Sequence, residues 1–290
     1  MYSPGMTHPL GTVHHLSLPQ GPLRYYDQGT GRPLVFVHGV LTNPLIWRKV
    51  IPALAADFRC LAPELPLGAH SAPMPATADL TAPAVATLLG DFLTALDLHD
   101  VVLVANDTGG AITQLLLARH PARVAKVVLT PSDSFEYFFP PLFKPLPALA
   151  RVPGAMPVLA QLLRIKALHR LPFLFGWVTK RPLPPDIAAE YLEKLHKSPE
   201  IRRDLRKFLR SVPPRHTLAA AEKLREFAPP VLLVWPPEDK LFPISLAHRL
   251  AAVLPDAEVV EVEDSYTFVP EDQPDVLASH LKRFAAPVAD

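Results

Sequence analysis

Apolar runs and helical periods alternate along most of the chain. Pro33–Val37, Val101–Ala105, Val124–Leu129 and Val231–Trp235 are short and wholly apolar, as strands buried on both faces are. Phe58–Ala62 and Glu258–Val262 also read as strands. Helical patterns separate them at Leu45–Ala56, Ala78–Leu98, Gly110–His120, Ile244–Leu254 and Pro274–Phe284. Such alternation implies βαβ units, a parallel sheet and an α/β fold. Thr12–Leu18 and Pro22–Asp27 have mixed alternation and precede Gly29-Thr30-Gly31, which predicts an antiparallel hairpin at a sheet edge.

The alternation lapses over residues 134–226, which are rich in proline and carry helical patterns at Met156–Leu168, Pro185–Leu195 and Ile201–Leu209 but no strand. An insertion placed after a strand sits over the carboxyl ends of the sheet, where open α/β sheets place their ligands. The expected organisation is a core of residues 1–133 and 227–290 with a helical cap of 134–226.

Composition changes this picture little. The 36 prolines among 290 residues fall mostly between apolar segments and punctuate loops. A net charge of +1 offers no global field for nucleic acid or membrane. The charge is uneven, however: residues 143–210 hold fourteen Lys/Arg and five Asp/Glu, or +9, which leaves −8 for the remainder. This reads as a solvated basic helix or as a surface for an anionic partner. The single cysteine, Cys60, cannot form an intramolecular disulfide and reads as a buried structural thiol. The first ten residues do not resemble a signal peptide and no apolar run is long enough to span a membrane, so a cytoplasmic protein is expected. No metal-ligand spacing and no phosphate-binding glycine loop occurs, so no metal or cofactor is expected.

Val101–Ala105 runs into Asn106-Asp107-Thr108-Gly109-Gly110 and then a helix. A strand, a sharp turn and a helix make a nucleophile elbow, here with Asp107 at the apex and Ala105 and Gly109 at its flanks. Other landmarks follow in order: His38-Gly39, Trp47, Leu65 to Ser71, Pro237-Glu238-Asp239, and Val269 to Pro274. Together they resemble the α/β-hydrolase superfamily over nearly the whole chain outside the cap. An apex aspartate is similar to the haloalkane dehalogenases and soluble epoxide hydrolases. That resemblance implies a mostly parallel, eight-stranded sheet flanked by helices. It also implies that Asp107 attacks an electrophilic carbon to form an ester, with the backbone N–H groups of Val40 and Thr108 as oxyanion hole. Asp239 matches the triad acid, and Asp133 is a second candidate.

The resemblance breaks at the third triad member. Thr267 occupies the place of the histidine, and a threonine hydroxyl is no base near neutral pH. Of the twelve histidines, His70 is the candidate for a substitute base. Halide-binding markers are missing, since Thr108 and Val40 stand where such enzymes carry Trp and Asn. Epoxide hydrolases use cap tyrosines as acids, and Tyr137 and Tyr191 are available. Candidate pocket residues are His38, Asn106, Trp47, Phe268 and the cap aromatics Phe138, Phe139, Phe143, Phe173, Phe175 and Trp177. The expected partner is a small, largely apolar electrophile such as an epoxide, with a haloalkane second; a homodimer is left open. Two other readings remain: a lyase, isomerase or cyclase using Asp107 as acid or base, and a ligand-binding member without turnover.

Overall fold

The computed structural model describes residues 8–286, apart from the side chain of the candidate pocket residue Phe173. The reading of the N-terminus therefore rests partly on residues 1–7, outside the described ones. Eight strands form one sheet in the order β1-β2-β4-β3-β5-β6-β7-β8. β1 (Thr12–Leu18) and β2 (Gly21–Gln28) form the expected antiparallel edge, and β2 pairs antiparallel with β4 (Arg59–Pro63). From there β3 (Pro33–Val37), β5 (Val101–Asp107), β6 (Val124–Ser132), β7 (Val231–Trp235) and β8 (Ala257–Glu261) run parallel. This is the α/β-hydrolase architecture. The central strands are apolar at every position because helices cover both faces: Leu34 to Val37, Val101 to Ala105 and Val231 to Trp235 are all buried.

The major helices are α1 (Ala82–Ala95), α2 (Thr108–Leu117), α3 (Ala155–Leu162), α4 (Pro185–Lys197), α5 (Pro199–Leu209), α6 (Arg215–Leu224), α7 (Ser245–Val253) and α8 (Pro274–Ala285). The helix expected over Leu45–Ala56 is two short pieces, a 3-10 turn at Pro44–Trp47 and a single turn at Ile51–Leu54. Proline opens each piece, and a proline ring cannot follow an ongoing helical turn. Cys60 is buried, and burial pushes its thiol up to about 12.

No strand interrupts the stretch between β6 and β7. Helices α3, α4 and α5 pack on one another above the sheet edge, whereas α6 packs on α2 beside the sheet. Helix α5 fastens this group of helices to the rest of the chain. Asp204 accepts hydrogen bonds from the Met74 backbone N–H (2.8 Å) and His70 Nε2 (3.3 Å), and Lys207 Nζ reaches the carbonyls of Ala76 and Ala78. Asp204 is fully buried, so losing its carboxylate strands several donors in the seam. Asp204→Ala is expected to lower stability by about 3 kcal/mol, measured by denaturant unfolding.

Candidate active site

Parallel strands end on the same side of a sheet, so the loops after β3, β5, β6 and β7 meet above one edge. Asp107 closes β5 at φ 55° and ψ −133°, and α2 begins at the next residue. A non-glycine residue there is strained by about 1–3 kcal/mol. Two glycines allow the strain. A Cβ on Gly39 would collide with the Asp107 carboxylate, and one on Gly109 would collide with the carbonyls of Val37 and His38. The elbow therefore lifts one carboxylate against the loop after β3.

The backbone N–H groups of Val40 and Thr108 lie near enough to the Asp107 carboxyl to favour its charged form, as the donors of an oxyanion hole would. Its pKa is nevertheless raised to about 7. Burial is the main cause, and the negative charge of Asp239 adds to it, against the pull of the two N–H groups. Asp133 follows β6 directly; its Oδ2 accepts from Thr108 Oγ1 at 3.0 Å while its Oδ1 has no partner. Burial and the proximity of Asp107 hold Asp133 well above the usual carboxylate range. Asp239 accepts the backbone N–H groups of Leu241 (2.7 Å) and Phe242 (2.6 Å) on Oδ1 and the Thr267 hydroxyl (2.9 Å) on Oδ2. Burial lifts it to about 6. Thr267 thus stands as the partner of Asp239, where a histidine would stand, and Asn106 Nδ2 donates to the Thr267 carbonyl at 2.7 Å to fix that loop.

These shifts have a consequence for stability. An unfolded aspartate titrates near 3.9, while Asp107 titrates at about 7 in the fold. Between those values the folded chain holds the extra proton, so stability falls as pH rises from about 4 to about 7. Asp107→Asn is expected to raise the melting temperature over wild type more at pH ~8 than at pH ~4, read by calorimetry at both values.

His38 and His70 do not face Asp107. Backbone Leu65 N–H donates to His38 Nε2 (2.9 Å), so the proton is on Nδ1 and goes to the Gly39 carbonyl (2.9 Å). Burial lowers its pKa to about 4, so it holds the oxyanion loop as a neutral ring. His70 Nδ1 receives the Gly68 N–H at 3.4 Å and Nε2 faces Asp204. Both nitrogens are spent in the seam under the cap, which revises the expectation of His70 as substitute base.

Above Asp107 lies a cavity of about 100 Å³ lined by Val40, Leu41, Thr42, Asp107, Phe139, Phe143, Leu146, Leu159, Leu163, Leu174, Phe175, Val178, Leu192 and Phe268. Typical sites for drug-sized ligands run to roughly 300–1,000 Å³, so this one takes a small group unless the cap shifts. The Thr42 hydroxyl is already donated to the Gly39 carbonyl. Neither an imidazole nor an indole N–H is among the lining groups.

Of the candidate pocket residues, Phe139, Phe143, Phe175 and Phe268 are in its lining, as is Val40, named for its backbone N–H. Trp47, Asn106, Phe138 and Tyr191 are buried elsewhere, Tyr137 packs against the core, and Trp177 is exposed. Burial pushes the Tyr191 phenol far above its ordinary range and leaves its hydroxyl without a partner; neither Tyr137 nor Tyr191 is among the residues lining the cavity. The wall residues missed in the sequence include Leu159 and Leu163, whose four-residue spacing put them on one helix face.

A model of the alpha/beta hydrolase fold matches residues 32–274. Haloalkane dehalogenase 2 of Mycobacterium tuberculosis is 28% identical over 276 residues, covering 91% of this chain and 92% of that protein. A cis-3-alkyl-4-alkyloxetan-2-one decarboxylase of Shewanella oneidensis is 26% identical over 282 residues, covering 93% and 87%. Among solved structures, the epoxide hydrolase CorEH superposes with a TM-score of 0.80 at 22% identity, covering 96% of this chain and 99% of that one, a likeness of fold.

Proposed function

The chain belongs to the alpha/beta hydrolase fold family, and from that premise we propose an enzyme whose Asp107 attacks a small, largely apolar electrophile to form an alkyl ester. The observation that carries this is the seating of Asp107: a strained apex carboxylate, two backbone N–H groups near it, and an apolar cavity in front. A carboxylate needs no base to become a nucleophile. On an epoxide, an Asp107 oxygen bonds to a ring carbon as the ring C–O bond breaks, and the alkoxide takes a proton from water. Return of the enzyme then requires water to attack the ester, with Thr267 where the base would stand. On such substrates the ester accumulates.

The same cavity favours a second electrophile. It presents neither an acid for a poor leaving group nor a base for water. A strained 2-oxetanone needs neither. Asp107 displaces the ring oxygen from the alkyl carbon, which frees a carboxylate; loss of CO2 then forms the alkene as the ester C–O bond breaks and Asp107 returns. Atoms balance without water or a proton. This is the substrate class named for the Shewanella relative.

The reaction with either substrate requires ionised Asp107. Its rate is expected to rise with pH and to level off above an apparent pKa of about 7. Product analysis with a small epoxide and a cis-dialkyl oxetanone separates the readings. Alkene and CO2 at multiple turnovers support the decarboxylase. One equivalent of epoxide consumed and no more supports the stalled ester. Rapid diol formation at multiple turnovers would overturn both.

A further inference from the structure

We infer that the outer face of the cap is a docking surface for membranes rich in anionic phospholipid. Helix α3 roofs the cavity with Leu159 and, just past its end, Leu163. The residues preceding them, Val158 and Leu162, point the other way and are 60% and 49% exposed; Ile165, also 49% exposed, follows on the same helical spacing. Among the described residues nine large apolar side chains are strongly exposed, and six of them are Leu149, Val152, Val158, Leu162, Ile165 and Trp177. A helix apolar on both sides with one side in water marks a missing partner.

Charge says what that partner is. Between Glu136 and Asp186 there is no Asp or Glu at all. Arg151, Arg164, Lys166 and Arg170 are exposed there, and none has a carboxylate within ion-pair distance among the described residues. Exposed apolar side chains and unpaired cations interspersed along one stretch of chain suit the interface of an anionic bilayer. A second copy suits the face poorly, because a two-fold contact would set these cations against their own equivalents. No described helix is long and apolar enough to cross a membrane. The expectation of no membrane partner rests on the net charge of +1 and on the lack of a spanning segment; docking needs no span, and the local excess of +9 over residues 143–210 supplies the field that the whole chain lacks. The roof of the Asp107 cavity would then face the phase in which an apolar electrophile dissolves; that clause alone rests on the proposed function.

Sedimentation of the full chain with vesicles of phosphatidylcholine alone, and of phosphatidylcholine with equimolar phosphatidylglycerol, tests the docking without any substrate. Trp177 is a built-in reporter, since Trp47 and Trp235 are fully buried. The expected result is binding to the anionic vesicles only, a blue shift of Trp emission, and release by salt. Each cation near an anionic surface is worth about fivefold in affinity, so Arg164→Gln with Lys166→Gln is expected to weaken binding about 25-fold. Leu162→Ser with Ile165→Ser, both at exposed positions, is expected to remove the blue shift. Equal binding to neutral vesicles, no binding at low salt, or indifference to both double variants would overturn the inference. So would a dimer in solution that the serine variant dissociates while vesicles go unbound.

Discussion

Asp107→Asn is expected to abolish ester formation and substrate consumption, with a loss of about 10⁴-fold or more. The amide has nearly the shape of the carboxylate and keeps an oxygen for the Val40 and Thr108 N–H groups that lie near Asp107. It lacks the charge that makes the group a nucleophile. The variant should fold, and above neutral pH it should be more stable than wild type, because a carboxyl that titrates at about 7 is mostly ionised there and its charge in an apolar setting costs free energy. Loss of activity with gain of stability is the signature of a group held for chemistry and not for structure. If the variant were inactive and also unstable, Asp107 would be a turn residue serving the fold.

Thr267→His is the complementary change. Asp239 already lies in the triad-acid position, with Thr267 Oγ1 at 2.9 Å from its Oδ2 and two backbone N–H groups on its Oδ1. An imidazole at 267 would find its orienting carboxylate in place and lie toward the elbow. General-base help is worth about 10²–10⁴-fold, so decay of an Asp107 ester should speed up by that factor, and an epoxide-derived adduct should no longer accumulate. Single-turnover kinetics on the isolated adduct measure it. Thr267→Val is the control: it strips Asp239 of its hydroxyl donor, should cost about 1–3 kcal/mol of stability, and should leave ester decay unchanged.

The strands were readable because a strand buried on both faces leaves an unbroken apolar run, as Val101 to Ala105 and Val231 to Trp235 do. The elbow was readable because close approach of backbone demands small residues, here Gly39 and Gly109. Thr267 could be placed from the order of landmarks, and its bond to Asp239 is the contact that order implies. Less was legible where the pattern has no contrast. Val158, Leu159, Leu162 and Leu163 are all apolar, so periodicity could not say which pair faces the cavity and which faces water. His70 looked available because sequence does not show what faces a ring; the partner that occupies it, Asp204, lies 134 residues away on the cap. The cap aromatics divided for the same reason, with Phe175 in the cavity wall and Trp177 at the surface.

The central claim is that Asp107 is a working nucleophile without a histidine to release its ester. Intact-protein mass, followed by peptide mapping after incubation with a small alkyl epoxide, tests it most directly. The account predicts one equivalent of adduct on Asp107, persisting over hours, forming faster as pH rises through about 7 and absent in Asp107→Asn. Rapid diol production with no adduct at any time, or an adduct at another residue that forms equally in Asp107→Asn, would contradict it.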